Sequence, residues 1–98
     1  MKFLIVKDTD GTKAYINTKQ ISLIQGYIGE KDKEDYTAIL MSGTLEPFYV
    51  KGNVEKVVST VRLIDIGVIS AGRNYDFEAV PKSKIIVDPV EEMLNYFK

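Results

Sequence analysis

Asp8, Asp10 and Gly11 have the spacing in this sequence that comes nearest to a ligand-binding motif, because two aspartates followed by a glycine open a calcium-binding loop. The later oxygen ligands and the closing glutamate of such a loop are missing at the required spacing. An Asp-Gly pair is also a strong signal for a tight turn between two strands. The spacing therefore predicts a hairpin turn and no metal site.

Catalytic chemistry is limited by two residue types that the chain lacks. With no cysteine and no histidine among its 98 residues, it can form no disulfide and offers no thiol nucleophile, imidazole base, or sulfur or imidazole metal ligand. None of the seven glycines lies in a GxGxxG, GKS or GKT element, so no phosphate-binding loop is indicated. We predict no enzyme activity, no catalytic residue, and no bound metal or cofactor.

The charge pattern does not favour a polyanionic partner. Thirteen basic and fourteen acidic residues give a net charge of -1, and the two signs are interspersed. A small nucleic-acid-binding barrel is the alternative hypothesis, and it requires Lys13, Lys19 and Lys51 to converge into a basic stripe beside base-stacking aromatics. Ordinary core packing and sheet pairing also account for those aromatics. They are Tyr15, Tyr27, Phe48 and Tyr49.

Extended segments dominate the first third of the chain. Residues 3–6 form a continuous apolar run, which indicates a strand covered on both faces. Lys13–Asn17 is predicted to return as the second strand of the hairpin. Ile21–Ile28 is a third extended run, with Gly26 as the expected bulge, although a helical turn over residues 18–21 fits the pattern as well. The charged connector of residues 29–35 is predicted to be a solvated loop.

The stretch of residues 36–64 organises the rest of the chain. Residues 36–41 alternate with apolar side chains on both sides, which predicts a largely buried strand, and residues 48–50 read as the return strand after a break at residues 42–44. Asn53 or Gly52 then caps an amphipathic helix that packs on the sheet. The apolar stripe of this helix is Val54, Val57, Val58, Val61 and Ile64.

Residues 65–98 are interpreted as a C-terminal extension. Residues 65–72 read as a strand or a covered loop, and the alternating residues 75–80 read as an edge strand whose acids face water. Asp88, Pro89 and Glu91 have the spacing that begins a second helix. We predict that residues 75–98 cover the sheet face opposite the first helix, within one chain or by exchange in a homodimer. The second helix's stripe is Val90, Met93, Leu94 and Phe97.

These elements predict one α+β domain over residues 1–98. Residues 1–64 form an antiparallel β-meander of about five strands with a helix packed on one face, and residues 65–98 add the extension with its terminal helix. The apolar run near the start is too short for the core of a signal peptide, and no run approaches the length of a membrane span. We therefore expect no membrane insertion and a cytoplasmic location.

A family resemblance over residues 2–64 adds to this reading. The residues that carry it are Lys2-Phe3-Leu4, Gly11, Tyr15-Ile16-Asn17, Ile21, Ile24, Val50-Lys51 and Val54-Glu55-Lys56-Val57. This pattern resembles the FlbD-like small flagellar protein family, which implies a strand-rich fold with a terminal helix, an association with bacterial flagella, and no catalytic residues. We therefore expect a non-enzymatic protein-protein interaction or accessory module of a bacterium or phage that presents an edge or a groove to another protein.

Overall fold

The structure, a computed structural model, describes residues 2–68 and 77–85. Within these ranges strands and one α-helix combine, which confirms the α+β class. In chain order the elements are β1 (Phe3–Lys7), β2 (Lys13–Asn17), a 3-10 helix (Thr18–Gln20), β3 (Ile21–Ile28), β4 (Asp35–Met41), β5 (Phe48–Lys51), α1 (Val54–Asp65) and a second 3-10 helix (Lys82–Lys84).

The predicted hairpin forms between β1 and β2, which pair antiparallel from Phe3 opposite Asn17 to Lys7 opposite Lys13. Gly11 adopts a φ of +87° in the turn, a conformation that glycine reaches without steric cost. The Asp10 carboxylate accepts hydrogen bonds from the backbone N–H and the hydroxyl of Thr12, at 2.9 and 2.6 Å. These bonds hold the pKa of Asp10 below its usual value. Asp10 therefore serves the turn.

A second antiparallel sheet has the order β3-β4-β5 and follows the helical turn at Thr18–Gln20. That turn was one of the two arrangements that the sequence allowed. The expected bulge at Gly26 is wrong, because the register against β4 shifts between Ile21 and Leu23. Gly26 has a different role: a Cβ built on it would lie 3.0 Å from Cγ1 of Val54, so its lack of a side chain lets α1 approach β3.

The predicted single five-stranded meander is also wrong, because the five strands belong to a two-stranded and a three-stranded sheet. Residues 77–80 lie between the two sheets. On one side Lys7 donates to Phe77 at 3.0 Å and Ala79 donates to Lys7 at 2.7 Å. On the other side Val80 donates to Tyr49 in β5 at 3.0 Å. The expected edge strand is therefore an internal connection, whose residues 75 and 76 lie outside the described ranges.

The larger core cluster lies between α1 and one face of the sheets. Asn53 caps the helix, its side chain accepting from the N–H of Glu55 at 2.7 Å. Val57 and Ile64 are buried, whereas Val58 is 38% exposed, so the expectation that Val58 lies in the core is wrong. The five apolar positions span a wider arc of α1 than the arc that packs on the sheet, so Val58 lies at the margin of the packed surface. The cluster comprises Leu4, Val6, Ile16, Ile39, Val50, Val57, Ile64 and Phe77.

A second, smaller cluster lies on the opposite face of the three-stranded sheet, where Ile85 packs with Tyr36, Ala38 and Tyr49. Tyr27 and Val80 pack against this cluster. Val80 and Ile85 therefore cover part of the second face within one chain, whereas Phe77 lies in the larger cluster on the α1 side.

The described residues test only some of the remaining predictions for the extension. Asp65 is the last residue of α1, and Ile66 and Val68 are each 65% exposed, so a covered loop is wrong for residues 66–68. Residues 69–76 and the predicted second helix with its stripe lie outside the described residues. Over residues 2–68 and 77–85, no helix has the length and apolar character needed to cross a lipid bilayer.

Candidate interaction edge

The outer edge of β3 is the feature of the described chain that best suits binding. β3 pairs with β4 on one side and is the terminal strand of its sheet within residues 2–68 and 77–85. Its sequence ISLIQGYI contains no charged residue and no proline. Proteins commonly protect edge strands with charges, prolines, bulges or short length, because free N–H and C=O groups can pair with another chain. The eight residues of β3 carry one such device, the register shift near Ser22.

Side chains on both faces of β3 are accessible beside this backbone edge. Leu23 is 51% exposed and Ile28 is 66% exposed. Leu23 lies opposite Leu40 of β4, on the face that carries the Tyr36 cluster, while Ile24 packs into the core under α1. A second chain at this edge could therefore form main-chain hydrogen bonds and cover apolar side chains.

A cleft of about 510 Å³ runs along the C-terminal half of the edge, between β3 and the start of α1. Four consecutive residues of β3 line it. The lining residues are Gln25, Gly26, Tyr27, Ile28, Asp35, Tyr36, Asn53 and Val54.

The charged connector after β3 is an exposed loop over residues 30–34, as predicted, and hydrogen bonds give it a defined conformation. The Tyr36 hydroxyl donates to the Asp32 carboxylate, and the N–H of Glu34 donates to the same side chain at 3.0 Å. Gly29 allows this closure, because a Cβ there would overlap Asp32 and lie 2.9 Å from Cε2 of Tyr36. We call this arrangement of Gly29, Asp32, Glu34 and Tyr36 the connector latch.

The hydrogen bond between Tyr36 and Asp32 in the connector latch shifts the pKa of both groups. The hydrogen bond to Asp32, together with burial, raises the pKa of Tyr36 to about 12. The same bond lowers the pKa of Asp32, with further contributions from the Glu34 N–H and the positive charge of Lys84. The connector also contacts the C-terminal extension, since the N–H of Glu30 donates to the carbonyl of Ile85 at 3.4 Å. It thus holds the end of the β3–β4 hairpin in a defined position.

The lysines of the nucleic-acid hypothesis do not converge into the required stripe. Lys51 pairs with Tyr36 at one end of β4, whereas Lys19 precedes Ile21, which pairs with Met41 at the other end. Five residue steps along a strand separate these ends by roughly 17 Å. Lys19 is therefore remote from Lys51.

Lys13 and Lys51 do share one row across the joined sheets, but the row is mixed in charge. Lys13 lies opposite Lys7, Lys7 bridges to Glu78, and the N–H of Lys51 donates to the carbonyl of Glu78 at 2.8 Å. Residues opposite one another on neighbouring strands face the same side. Glu78 therefore places a negative charge between the lysines.

The four aromatic candidates are distributed over different surfaces. Phe48 packs against the core under α1, while Tyr49 belongs to the cluster on the opposite face and lies 6.2 Å from the ring of Tyr27. Tyr15 is exposed on β2 and packs edge-on against Phe3. No single base-stacking face is formed among the described strands.

The described residues contain no group of three or more His, Cys, Asp or Glu side chains arranged to hold a metal ion. Sequence reasoning did not identify the edge of β3, although its signal, eight residues without a charge or proline, was visible. The free side of the strand depends on the order of the strands in space. No family model, curated protein or solved structure matches the chain. The class is therefore an α+β domain in which β3 is a terminal strand among the described residues.

Proposed function

We propose that this protein is a non-enzymatic interaction module that binds another polypeptide along the outer edge of β3. The observation that carries the proposal is the uncharged eight-residue edge, with the exposed Leu23 and Ile28 on its two faces. Strand addition would pair the backbone groups on the side of β3 that no other described strand occupies, and it would bury these side chains together. The cleft beside Gly26 leaves room for side chains of the added strand.

The ionisable groups with perturbed pKa values support a non-enzymatic role, because their partners already account for them. Asp10 stabilises its turn, and Asp32 and Tyr36 bind each other in the connector latch. Burial raises the pKa of Tyr49 within the second cluster.

A bacterial or phage accessory role in the cytoplasm, associated with the flagellum, is part of this proposal. Its support is the resemblance of residues 2–64 to the FlbD-like family, together with the composition of the chain. Nucleic-acid binding is the alternative, and Glu78 within the row of Lys7, Lys13 and Lys51 argues against it.

Affinity capture from the source organism with matched variants tests the proposal. Leu23→Lys places a charge on the edge, while Leu45→Lys changes a side chain that is 98% exposed in the turn between β4 and β5. We expect at least one protein to be retained by the parent and by Leu45→Lys but lost with Leu23→Lys. Flagellar components among such proteins would support the flagellar role. Retention of the same proteins by all three would contradict binding at the β3 edge, and retention of nucleic acid would favour the alternative.

A further inference from the structure

We propose that residues 86–89 of this chain close along the outer edge of β3 as a strap, which another polypeptide must displace in order to bind there. The inference rests on the proposed function, because it names a regulator of the same edge. It differs from the predicted cover of the second sheet face by residues 75–98, since the strap pairs with the backbone of β3.

The last described residue, Ile85, lies beside the end of β3. The N–H of Gly29 donates to the carbonyl of Glu34 at 2.8 Å and closes the hairpin with β4. The N–H of the next residue, Glu30, donates to the carbonyl of Ile85 at 3.4 Å. Because successive residues of an extended chain direct their N–H groups to opposite sides, this second bond lies on the side of β3 that faces away from β4. The chain therefore enters residue 86 at the outer edge of β3.

The bond between Glu30 and Ile85 defines the register in which the strap pairs. An antiparallel direction carries the chain along β3, whereas a parallel direction carries it away from the sheet. In an antiparallel ladder the hydrogen-bonded pairs advance by two residues on each strand. The next pair is therefore Ile28 with Val87, each of which can donate to the carbonyl of the other.

The residues of the strap suit this position. Ile86 and Val87 are apolar and β-branched, which favours an extended strand. Val87 would cover Ile28, which is 66% exposed. Two residues further along, Pro89 would lie opposite Gly26, and it has no N–H group to donate. A proline is tolerated on an edge strand but interrupts its pairing, so the paired strap ends there.

The cleft beside β3 has room for the side chains of the strap. Gly26 and Ile28 lie at alternate positions of β3, and Gly26 faces Val54 at the start of α1. Residues opposite one another on neighbouring strands share a face, so Val87 and Pro89 would also face α1. The cleft at this place has a volume of about 510 Å³. The strap would thus fill the space that an added strand from another polypeptide needs.

A strap of this length is displaceable. Its four residues pair only with the C-terminal half of β3 and leave Leu23, which is 51% exposed, uncovered. A partner strand that spans all eight residues of β3 forms more backbone hydrogen bonds and also covers Leu23. The strap therefore closes the edge against short or weakly pairing segments and yields to a strand that matches the whole edge.

Disulfide cross-linking in the full-length protein tests the strap, because the chain has no cysteine of its own. Opposed residues of antiparallel strands have Cα atoms about 4.5–5.5 Å apart, within the range of a disulfide. Ile28→Cys combined with Val87→Cys should therefore form a disulfide within one chain under oxidised glutathione, measured by mass spectrometry of the monomer. The matched control combines Ile28→Cys with Asp88→Cys, which has nearly the same tether but faces the other side of the strap. We expect the first pair to cross-link about ten-fold faster or more.

Affinity capture with the same double variant tests the competition. Proteins that the parent retains and Leu23→Lys loses should be retained by the reduced Ile28→Cys, Val87→Cys protein and lost by its oxidised form. Val87→Lys places a charge beside Ile28 and weakens the strap. It should retain about three-fold more of these proteins than the parent, because a larger fraction of its edges is open. Leu45→Lys, in an exposed turn, should match the parent.

Each result bears on a separate claim. Equal cross-linking rates for the two cysteine pairs, or disulfides that join two chains, would overturn the strap. Undiminished capture by the oxidised protein would overturn the competition. If no variant, Val87→Lys included, retained any protein, the proposed function would fail, while faster cross-linking of the first pair would still support the strap.

Discussion

Tyr36, which is 2% exposed in β4, donates its hydroxyl hydrogen bond to the solvent-exposed carboxylate of Asp32. A buried phenol and an exposed acid therefore close the connector between β3 and β4. Tyr36→Phe should lower the melting temperature by a few degrees at neutral pH, because it removes this bond and keeps the ring. Tyr15→Phe, at an exposed ring, is the control and should leave the melting temperature unchanged.

The difference in melting temperature between the parent and Tyr36→Phe should disappear at alkaline pH. Folding raises the pKa of Tyr36 from its ordinary value of 10.0 to about 12. The stabilisation is therefore complete below pH 10 and is lost as the pH rises toward 12. Paired thermal melts between neutral and alkaline pH measure this difference. A constant difference across that range would show that the hydroxyl does not titrate as the structure implies.

Asp32→Ala should show the opposite pH dependence. The connector latch lowers the pKa of Asp32, so its stabilisation is present above the ordinary aspartate pKa of 3.8 and is lost as the pH falls through the lowered value. Melting temperatures of the parent and of Asp32→Ala should therefore converge in acid. Asp8→Ala, which removes a carboxylate from the distant β1–β2 turn, controls for general acid effects. Curves that stay parallel in acid would contradict a charged latch.

Adjacent valines of α1 should respond very differently to aspartate. Val57 is fully buried in the core, so Val57→Asp buries an unpaired carboxylate and should cost several kcal/mol of folding free energy. Val58 is 38% exposed, so Val58→Asp should cost about 1 kcal/mol or less. Urea denaturation, monitored by circular dichroism, measures the loss of folding free energy in both variants. Equal losses at the two positions would mean that α1 is rotated relative to the sheet.

Substitution of Ile85 tests whether its side chain stabilises the second face of the three-stranded sheet. Its side chain is 2% exposed and packs with Tyr36, Ala38 and Tyr49, so Ile85→Ala should cost about 2–5 kcal/mol. Ser83→Ala, at an exposed position of the 3-10 helix that precedes Ile85, should have little effect. Denaturation midpoints of the two variants decide the matter. If Ile85→Ala matches Ser83→Ala, the Ile85 side chain does not stabilise the cluster on the second face.

Local features of this fold could be predicted because short spacings determine them. The Asp10-Gly11 turn depends on a glycine with positive φ, and the start of α1 depends on the Asn53 side chain. The continuous apolar residues of β1 correctly indicated a strand covered on both faces, since Leu4, Ile5 and Val6 are all buried. Each of these features is determined within a few residues.

Long-range relationships could not be predicted in the same way. The backbone of residues 77–80 bonds to β1 and β5 through groups that every residue carries, so the alternating side chains could not distinguish an internal segment from an edge strand. The same limit applies to the candidate site. The uncharged sequence of β3 is a local property, but its outer position depends on which strands lie beside it.

The placement of residues 77–80 has a kinetic consequence. Lys7 and Glu78 are 71 positions apart in sequence, yet their pairing, together with that of Val50 and Ala79, joins the two sheets. Closing so long a loop carries a high entropic cost before any contact rewards it, and such non-local contacts slow folding. During synthesis the β1–β2 hairpin and the β3-β4-β5 sheet would emerge as separate units. Until residues 77–80 leave the ribosome, the facing edges of β1 and β5 lack their native partner and are exposed to mispairing with other nascent chains.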